Sequence, residues 1–186
     1  MKFKSIYFLI FFISFFSNAA TQGVLDRGDC NLNSTGSVDI NIQVAHSIQV
    51  NNLDDINLGQ FNSGIDTNKS GSDSFCVFSN TPKFALILSS ENNNNGSFRM
   101  KGGNQFIPYT LSMDTLNKNG SVATTRFVTS GVKNSNIVQV RNTFNCVESN
   151  VFVPNVKINV NVADTAMLDV LPNNYSDVIT VIASPE

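Results

Sequence analysis

Two stretches of this chain alternate apolar and polar residues with a period of two, which a strand satisfies and a helix does not. From Ser37 to Val50, Val38, Ile40, Ile42 and Val44 share one parity, while Asp39, Asn41 and Gln43 occupy the other. After Ala45 and His46 the apolar set resumes on the same parity at Ile48 and Val50. This run exceeds the usual strand length, so it is either one long strand or two pieces with a break near His46. Asn155 to Val162 repeats the pattern, with Val156, Ile158, Val160 and Val162 on one face.

The remaining text between turn signals is of the same kind. Ile56, Leu58 and Phe61 surround Gly59, and Asn62 to Asp73 reads as a Gly/Asn/Ser/Asp loop. A short strand passes through Cys76 and Phe78, and Lys83 to Ser89 (KFALILS) is a strong apolar one. Asn95-Gly96 signals a hairpin into Ser97 to Lys101, and Asn119-Gly120 a second one between Gln105 to Met113 and Ala123 to Thr129. Thr143 to Phe152 reads as a strand carrying Cys146, and Asp164 to Val170 is the one segment suited to a short helical turn. Eight to ten strands without a helical repeat predict an all-β sandwich.

The C-terminal stretch, Asn173 to Glu186, is the most strand-like of all. Tyr175, Val178, Val181 and Ala183 are apolar, and Ile179 and Ile182 extend the apolar character to the other face. It reads as a strand covered on both sides, and its backbone groups must find a partner elsewhere in the sheet.

Residues 1–19 carry a basic start at Lys2 and Lys4, a short apolar run from Ile6 to Phe16, and small residues up to Ala19. This is the pattern of a secretory signal peptide and is too short for a membrane-spanning helix. About 167 residues remain, the size of one domain. Without the two leader lysines, ten basic residues stand against fourteen acidic ones. With no basic block, nucleic acid is excluded as a partner.

Cys30, Cys76 and Cys146 pass into an oxidising compartment, where three pairings are open. Cys76 with Cys146 is favoured, since SFCVF and FNCVES are strand-like whereas Cys30 lies in the polar GDCNLNSTG. No catalytic constellation is visible. His46 is the sole histidine and has no local nucleophile, Asp54-Asp55 reads as a solvated corner, and Glu148 stands apart. Asp54, Asp55, Asp66 and Asp73 do not follow a calcium-loop spacing. No metal, cofactor or enzymatic activity is expected. The aromatic residues Phe61, Phe78, Phe84, Phe98, Phe106, Tyr109, Phe127, Phe144, Phe152 and Tyr175 are spread over many strands and, with no Trp among them, suit a core better than a carbohydrate platform.

Four features together resemble a known family: LDDINLGQF at Leu53 to Phe61, CVFSN at Cys76 to Asn80, the later Cys146, and the terminal YSDVITVIASPE. The mature chain resembles subunits of chaperone–usher fimbriae, in the style of the small exported pilins grouped with spore coat protein U-like proteins. That resemblance implies an immunoglobulin-like β-sandwich that is incomplete and is finished by a donated strand. A periplasmic chaperone lends the strand first, and the N-terminal extension of another pilin subunit replaces it at an outer-membrane usher. The product is a cell-surface fimbrium serving adhesion or biofilm formation.

On this resemblance residues 20–45 form the extension and 46–186 the pilin domain. Val38, Ile40, Ile42 and Val44 are the donor-strand candidates, and Tyr175, Val178, Ile179, Val181 and Ala183 form the groove-edge strand. A competing allocation makes Val38 to Val44 the domain's own first strand and moves the donor to Gly23-Val24-Leu25 and the region of Cys30 and Leu32. Cys30 departs from a two-cysteine pilin. The alternative function is a monomeric secreted β-sandwich that binds carbohydrate or a protein surface.

Overall fold

The computed structural model describes residues 38–140 and 146–186. The leader at 1–19, Cys30, the Gly23-Val24-Leu25 alternative, and Thr143 and Phe144 lie outside the described residues. The chain divides into two compact units, Met1–Ile42 and Gln43–Glu186. Of the first, residues 38–42 are described; they form no strand, and Val38, Ile40 and Ile42 are 86%, 90% and 88% exposed.

The second unit is built of antiparallel strands. The period-two segment Asn155 to Val162 becomes β10 (Val156–Val162). Its Val156, Ile158, Val160 and Val162 are buried, while Lys157, Asn159 and Asn161 face outward. β10 lies between β2 (Lys69–Ser79) and β5 (Gln105–Leu116). β1 (Ile48–Asn51) extends this sheet beyond β2, and β4 (Phe98–Gly102) and β6 (Val122–Phe127) both pair with β5. A second sheet has β3 (Lys83–Ser90) at its centre, with β7 (Lys133–Val138) and β11 (Ile179–Pro185) on its two sides. β8 (Val147–Glu148) and β9 (Val151–Phe152) form a small ribbon, and α1 (Asp164–Leu168) is the single helical turn among the described residues.

One apolar core joins the two sheets. Phe84, Leu86 and Leu88 of β3 meet Phe75 and Val77 of β2, Leu111 and Met113 of β5, and the inward face of β10. The result is an open, curled antiparallel sheet closed over by a smaller one, which is an incomplete sandwich-like arrangement. Burial on this scale contributes about 1.5–3 kcal/mol per large aliphatic or aromatic side chain. Cys76 and Cys146 are both fully buried and joined by a disulfide, with Cα atoms 6.1 Å apart across 70 residues of chain.

Side-chain amides explain part of the asparagine content. At the end of the β10–β2 pairing, buried Asn155 accepts from the Val77 N–H and donates to the Val77 carbonyl, both at 2.8 Å. A primary amide carries the same donor and acceptor as a peptide group, so it continues the ladder where the strand itself has turned away.

Several sequence expectations need correction. Asn95-Gly96 does form its turn, with φ of 49° and 85°, and Asn94 and Ser97 exchange backbone hydrogen bonds of 3.2 and 3.0 Å. The flanking strands nevertheless do not form a hairpin, because β11 and β7 already occupy both edges of β3, and β4 crosses to pair with β5. Of the strand expected over Thr143 to Phe152, the described part from Cys146 to Phe152 is not one strand; Cys146, Ser149 and Asn150 take φ of 54°, 51° and 63°, and the last two turn the chain into the β8–β9 ribbon. β2 starts at Lys69 inside the expected loop, and β7 arises in KNSNIV, where only Ile137 is buried. The Asn119-Gly120 hairpin and the helical turn after Asp164 form as expected.

A candidate strand-docking groove

The domain's own first strand starts at Ile48, so the long alternation breaks after His46, which is exposed. Val44 is 75% exposed. The four apolar side chains of one parity therefore form an uncovered stripe about 20 Å long at the rise of an extended strand. Val38 to Val44, which the competing allocation makes the resident first strand, lies in no strand here, and β1 begins at Ile48.

β11 sits at the edge of its sheet. Its register with β3 places Ile179 opposite Ser90 and Pro185 opposite Phe84. The carbonyl of Val178 accepts from the Glu91 N–H at 2.9 Å, and the N–H of Glu186 donates to the Lys83 carbonyl at 3.0 Å. Residues of even number thus direct their backbone groups at β3. By the alternation of an antiparallel ladder, those of Ile179, Val181 and Ala183 point away from it. No strand among the described residues pairs with that edge.

Ile179, Val181 and Ala183 turn their side chains toward the core and are half-buried, whereas Thr180 and Ile182 are exposed, Ile182 by 52%. The expectation of a strand covered on both faces is thus corrected: one face is open to solvent. Tyr175 and Val178 precede β11 and are not part of it, and Val178 is 58% exposed.

Beside this edge lies a groove of 1440 Å³. β1 passes close to β11 without pairing with it. The groove is lined by residues 53–61 and 170–179, and by Ser63, Lys69 and Val181. Its floor is apolar, from Met100, Ile107, Ile158, Val160 and Val162, and Met167 of α1 also lines it. Ile158, Val160 and Val162 belong to the apolar face read from the sequence, but their place at a groove was not legible because each reads as ordinary core. Ile56 and Leu58 reach inward over Gly71, where a Cβ would lie 2.5 Å from the Ile56 Cγ2 and 2.9 Å from the Leu58 Cδ2.

The segment leading into β11 is fastened to the first sheet, which holds the groove's rim. Ser176 and Lys101 exchange backbone hydrogen bonds of 3.1 and 2.8 Å. The Tyr109 hydroxyl donates to Asp177 Oδ2 at 2.6 Å, and the Asn92 amide donates to Asp177 Oδ1 at 2.9 Å. Burial, and then the Asp177 carboxylate, push the Tyr109 phenol far above its ordinary range, so it stays a proton donor at any physiological pH. Tyr175 donates its hydroxyl hydrogen toward the Leu171 carbonyl at 2.8 Å and lies 3.1 Å from Gln105 Oε1. Its ring covers Gly102, where a Cβ would stand 2.7 Å from two ring carbons and 3.0 Å from the Asn174 carbonyl. Gly102→Ala is therefore expected to cost about 1–3 kcal/mol, read as a lowered urea midpoint at unchanged m-value.

At the far end of β11, Glu186 closes the edge against β7. Its carboxylate meets Lys133 Nζ at 2.9 Å and accepts from the Asn136 N–H at 2.7 Å. Lys133 first, and the Asn136 N–H second, hold the Glu186 carboxyl at about 2, below its ordinary 4.5. A depressed acid stabilises the fold above pH 4.5 and loses that contribution as pH falls through about 2. A carboxyl titration by NMR should find the Glu186 midpoint near 2, and Lys133→Met should move it back toward 4.5.

Among the described residues, no three His, Cys, Asp or Glu side chains come together to hold a metal. Asp73 instead accepts from the Asp54 N–H at 3.1 Å, and Asp66 pairs with Lys69 at 3.1 Å. No helix of the described residues is long and apolar enough to cross a membrane.

No family model matches the sequence, and no curated protein matches it. Among solved structures, the chain is similar to one of the chaperone–tip adhesin complex of CFA/I fimbriae biogenesis, with a TM-score of 0.48 and 17% identity over 75% of this chain and 41% of the other. It is also similar to a mutant of the CFA/I adhesin CfaE of enterotoxigenic E. coli, with a TM-score of 0.43 and 16% identity over 70% and 38% of the two chains. The chain spans about two fifths of the length of these structures.

Proposed function

We propose that this chain is a structural subunit of a chaperone–usher fimbria, an immunoglobulin-like domain completed by a strand from another molecule. The observation that carries this reading is a conjunction. A groove with an apolar floor and a polar rim meets the unpaired edge of β11 at Ile179 and Val181, and the same chain presents an exposed heptapeptide with apolar residues on every second position.

Strand addition supplies what each lacks. The backbone of Ile179, Val181 and Ala183 gains hydrogen-bond partners, and Val38, Ile40, Ile42 and Val44 leave water for an apolar floor. Their β-branched shapes suit an extended strand, and each is worth about 1.5–3 kcal/mol when fully buried. In this reading a periplasmic chaperone fills the groove before assembly, the outer-membrane usher exchanges it for the extension of the next pilin subunit, and the fimbrium on the cell surface serves adhesion or biofilm formation.

The test compares residues 20–186 with a domain lacking residues 20–45, each with and without a peptide of Ser37 to Val44. The truncated domain is expected to be unstable alone and to gain thermal stability from the peptide in a concentration-dependent manner. A stable truncated monomer that ignores the peptide would refute donation by this segment.

A further inference from the structure

The root of the extension carries a feature that strand donation does not by itself require. Asn80, just past the end of β2, holds the backbone on both sides of His46: its Oδ1 accepts from the Ser47 N–H and its Nδ2 donates to the Ala45 carbonyl, each at 2.8 Å. The Asn80 N–H donates to the Ser47 carbonyl at 3.1 Å, and the Ser79 hydroxyl lies 3.4 Å from the same oxygen. As Asn155 does at the other side of β2, Asn80 imitates a peptide group and prolongs the ladder, here from Ile48 back to Ala45.

Only Ala45, His46 and Ser47 separate the stripe from β1. Three residues are a common hairpin connection. β1 is the terminal strand of its sheet and passes close to β11. A turn at Ala45 to Ser47 would therefore bring residues 41–44 back antiparallel against β1 and run Val38 to Ile40 on toward the groove lined by residues 53–61 of the same molecule. Such a chain would satisfy its own groove and have nothing to donate.

Resting on the function proposed above, we infer that Asn80 is a clamp that holds Ala45 to Ser47 extended and so bars self-closure, keeping the stripe available to a second copy of this chain. The amide acts on the root alone. It has no contact with the groove floor and is a positioning residue. Asn80 is exposed, so its replacement leaves the core untouched.

The test uses residues 20–186 as wild type, Asn80→Ala and Asn80→Asp, the last of which keeps the acceptor for Ser47 but loses the donor to Ala45. Each is followed by light scattering for assembly and by amide exchange at Ile179, Val181 and Ala183 in the monomer fraction, with unchanged urea midpoints as the check on folding. Asn80→Ala is expected to assemble about tenfold more slowly, the consequence of losing the two exposed amide hydrogen bonds to Ser47 and Ala45. It should also accumulate a monomer in which those three amides are protected, with Asn80→Asp intermediate. If wild type assembles and Asn80→Ala matches it in rate with unprotected monomer amides, the clamp is wrong. Slower assembly without monomer protection also overturns it. Failure of wild type itself to assemble, or to protect those amides in the polymer, counts against strand donation rather than the clamp.

Discussion

Replacing Ile40 with Asp will abolish polymerisation and leave the folded domain as stable as before. Ile40 is 90% exposed in the single chain and belongs to no strand, so a carboxylate there costs the monomer nothing measurable. In the complex it would be driven onto a floor made of Met100, Ile107, Val160 and their neighbours. An unpaired carboxylate cannot be accommodated in such surroundings for less than several kcal/mol, which is a loss of at least about a hundredfold in affinity. Ile42→Asp, at 88% exposure, should behave alike, whereas Asn41→Asp, on the opposite parity, should still assemble. Light scattering and urea unfolding of the same preparations separate the two effects. Normal polymers from Ile40→Asp would remove Val38 to Val44 from the donor role.

The double replacement Cys76→Ala/Cys146→Ala will have the largest effect on the fold itself. The bridge closes 70 residues, for which the chain-entropy estimate is roughly 4 kcal/mol, within the 2–5 kcal/mol usual for native disulfides. Both sulfurs are fully buried, so the packing loss adds to the entropic one. Cys76 pairs across the ladder with Asn51, the last residue of β1 and the point where the chain leaves for the groove rim. The loss should therefore loosen β1 and residues 53–61 as well as lower the urea midpoint. A measured cost under about 1 kcal/mol would show that the β1–β2 pairing is held by other means.

Elements whose side chains alternate between core and water were legible in the sequence. β10 and β3 fall where Asn155 to Val162 and Lys83 to Ser89 placed them, because burial on one or both faces writes itself into residue type. β7 was not legible, since Lys133 to Asn136 are polar and its place depends on β3 having a free edge; Asn136 takes φ of 59° where the register shifts. The crossing after Asn95-Gly96 was hidden for a related reason. A local turn signal reports the turn and not which edge is vacant afterwards.

The site divides in the same manner. The exposed stripe could be read from parity, and β11 from its β-branched run. The groove could not, because its floor residues Ile158 and Val160 are themselves buried in the core, and nothing in the sequence marks where a channel meets them. Nor could Asn80, one asparagine among many until the backbone of Ala45 and Ser47 is seen on either side of its amide.

The claim that β11 is completed from outside is tested most directly at its backbone. In the Ile40→Asp monomer, amide exchange should be recorded by NMR before and after adding the wild-type Ser37 to Val44 peptide. Thr180 and Ile182, which face β3, should be protected throughout, while Ile179, Val181 and Ala183 should exchange fast alone and become protected only with the peptide. Exchange at those three residues that stays fast at saturating peptide, or that is already slow without it, would contradict the account.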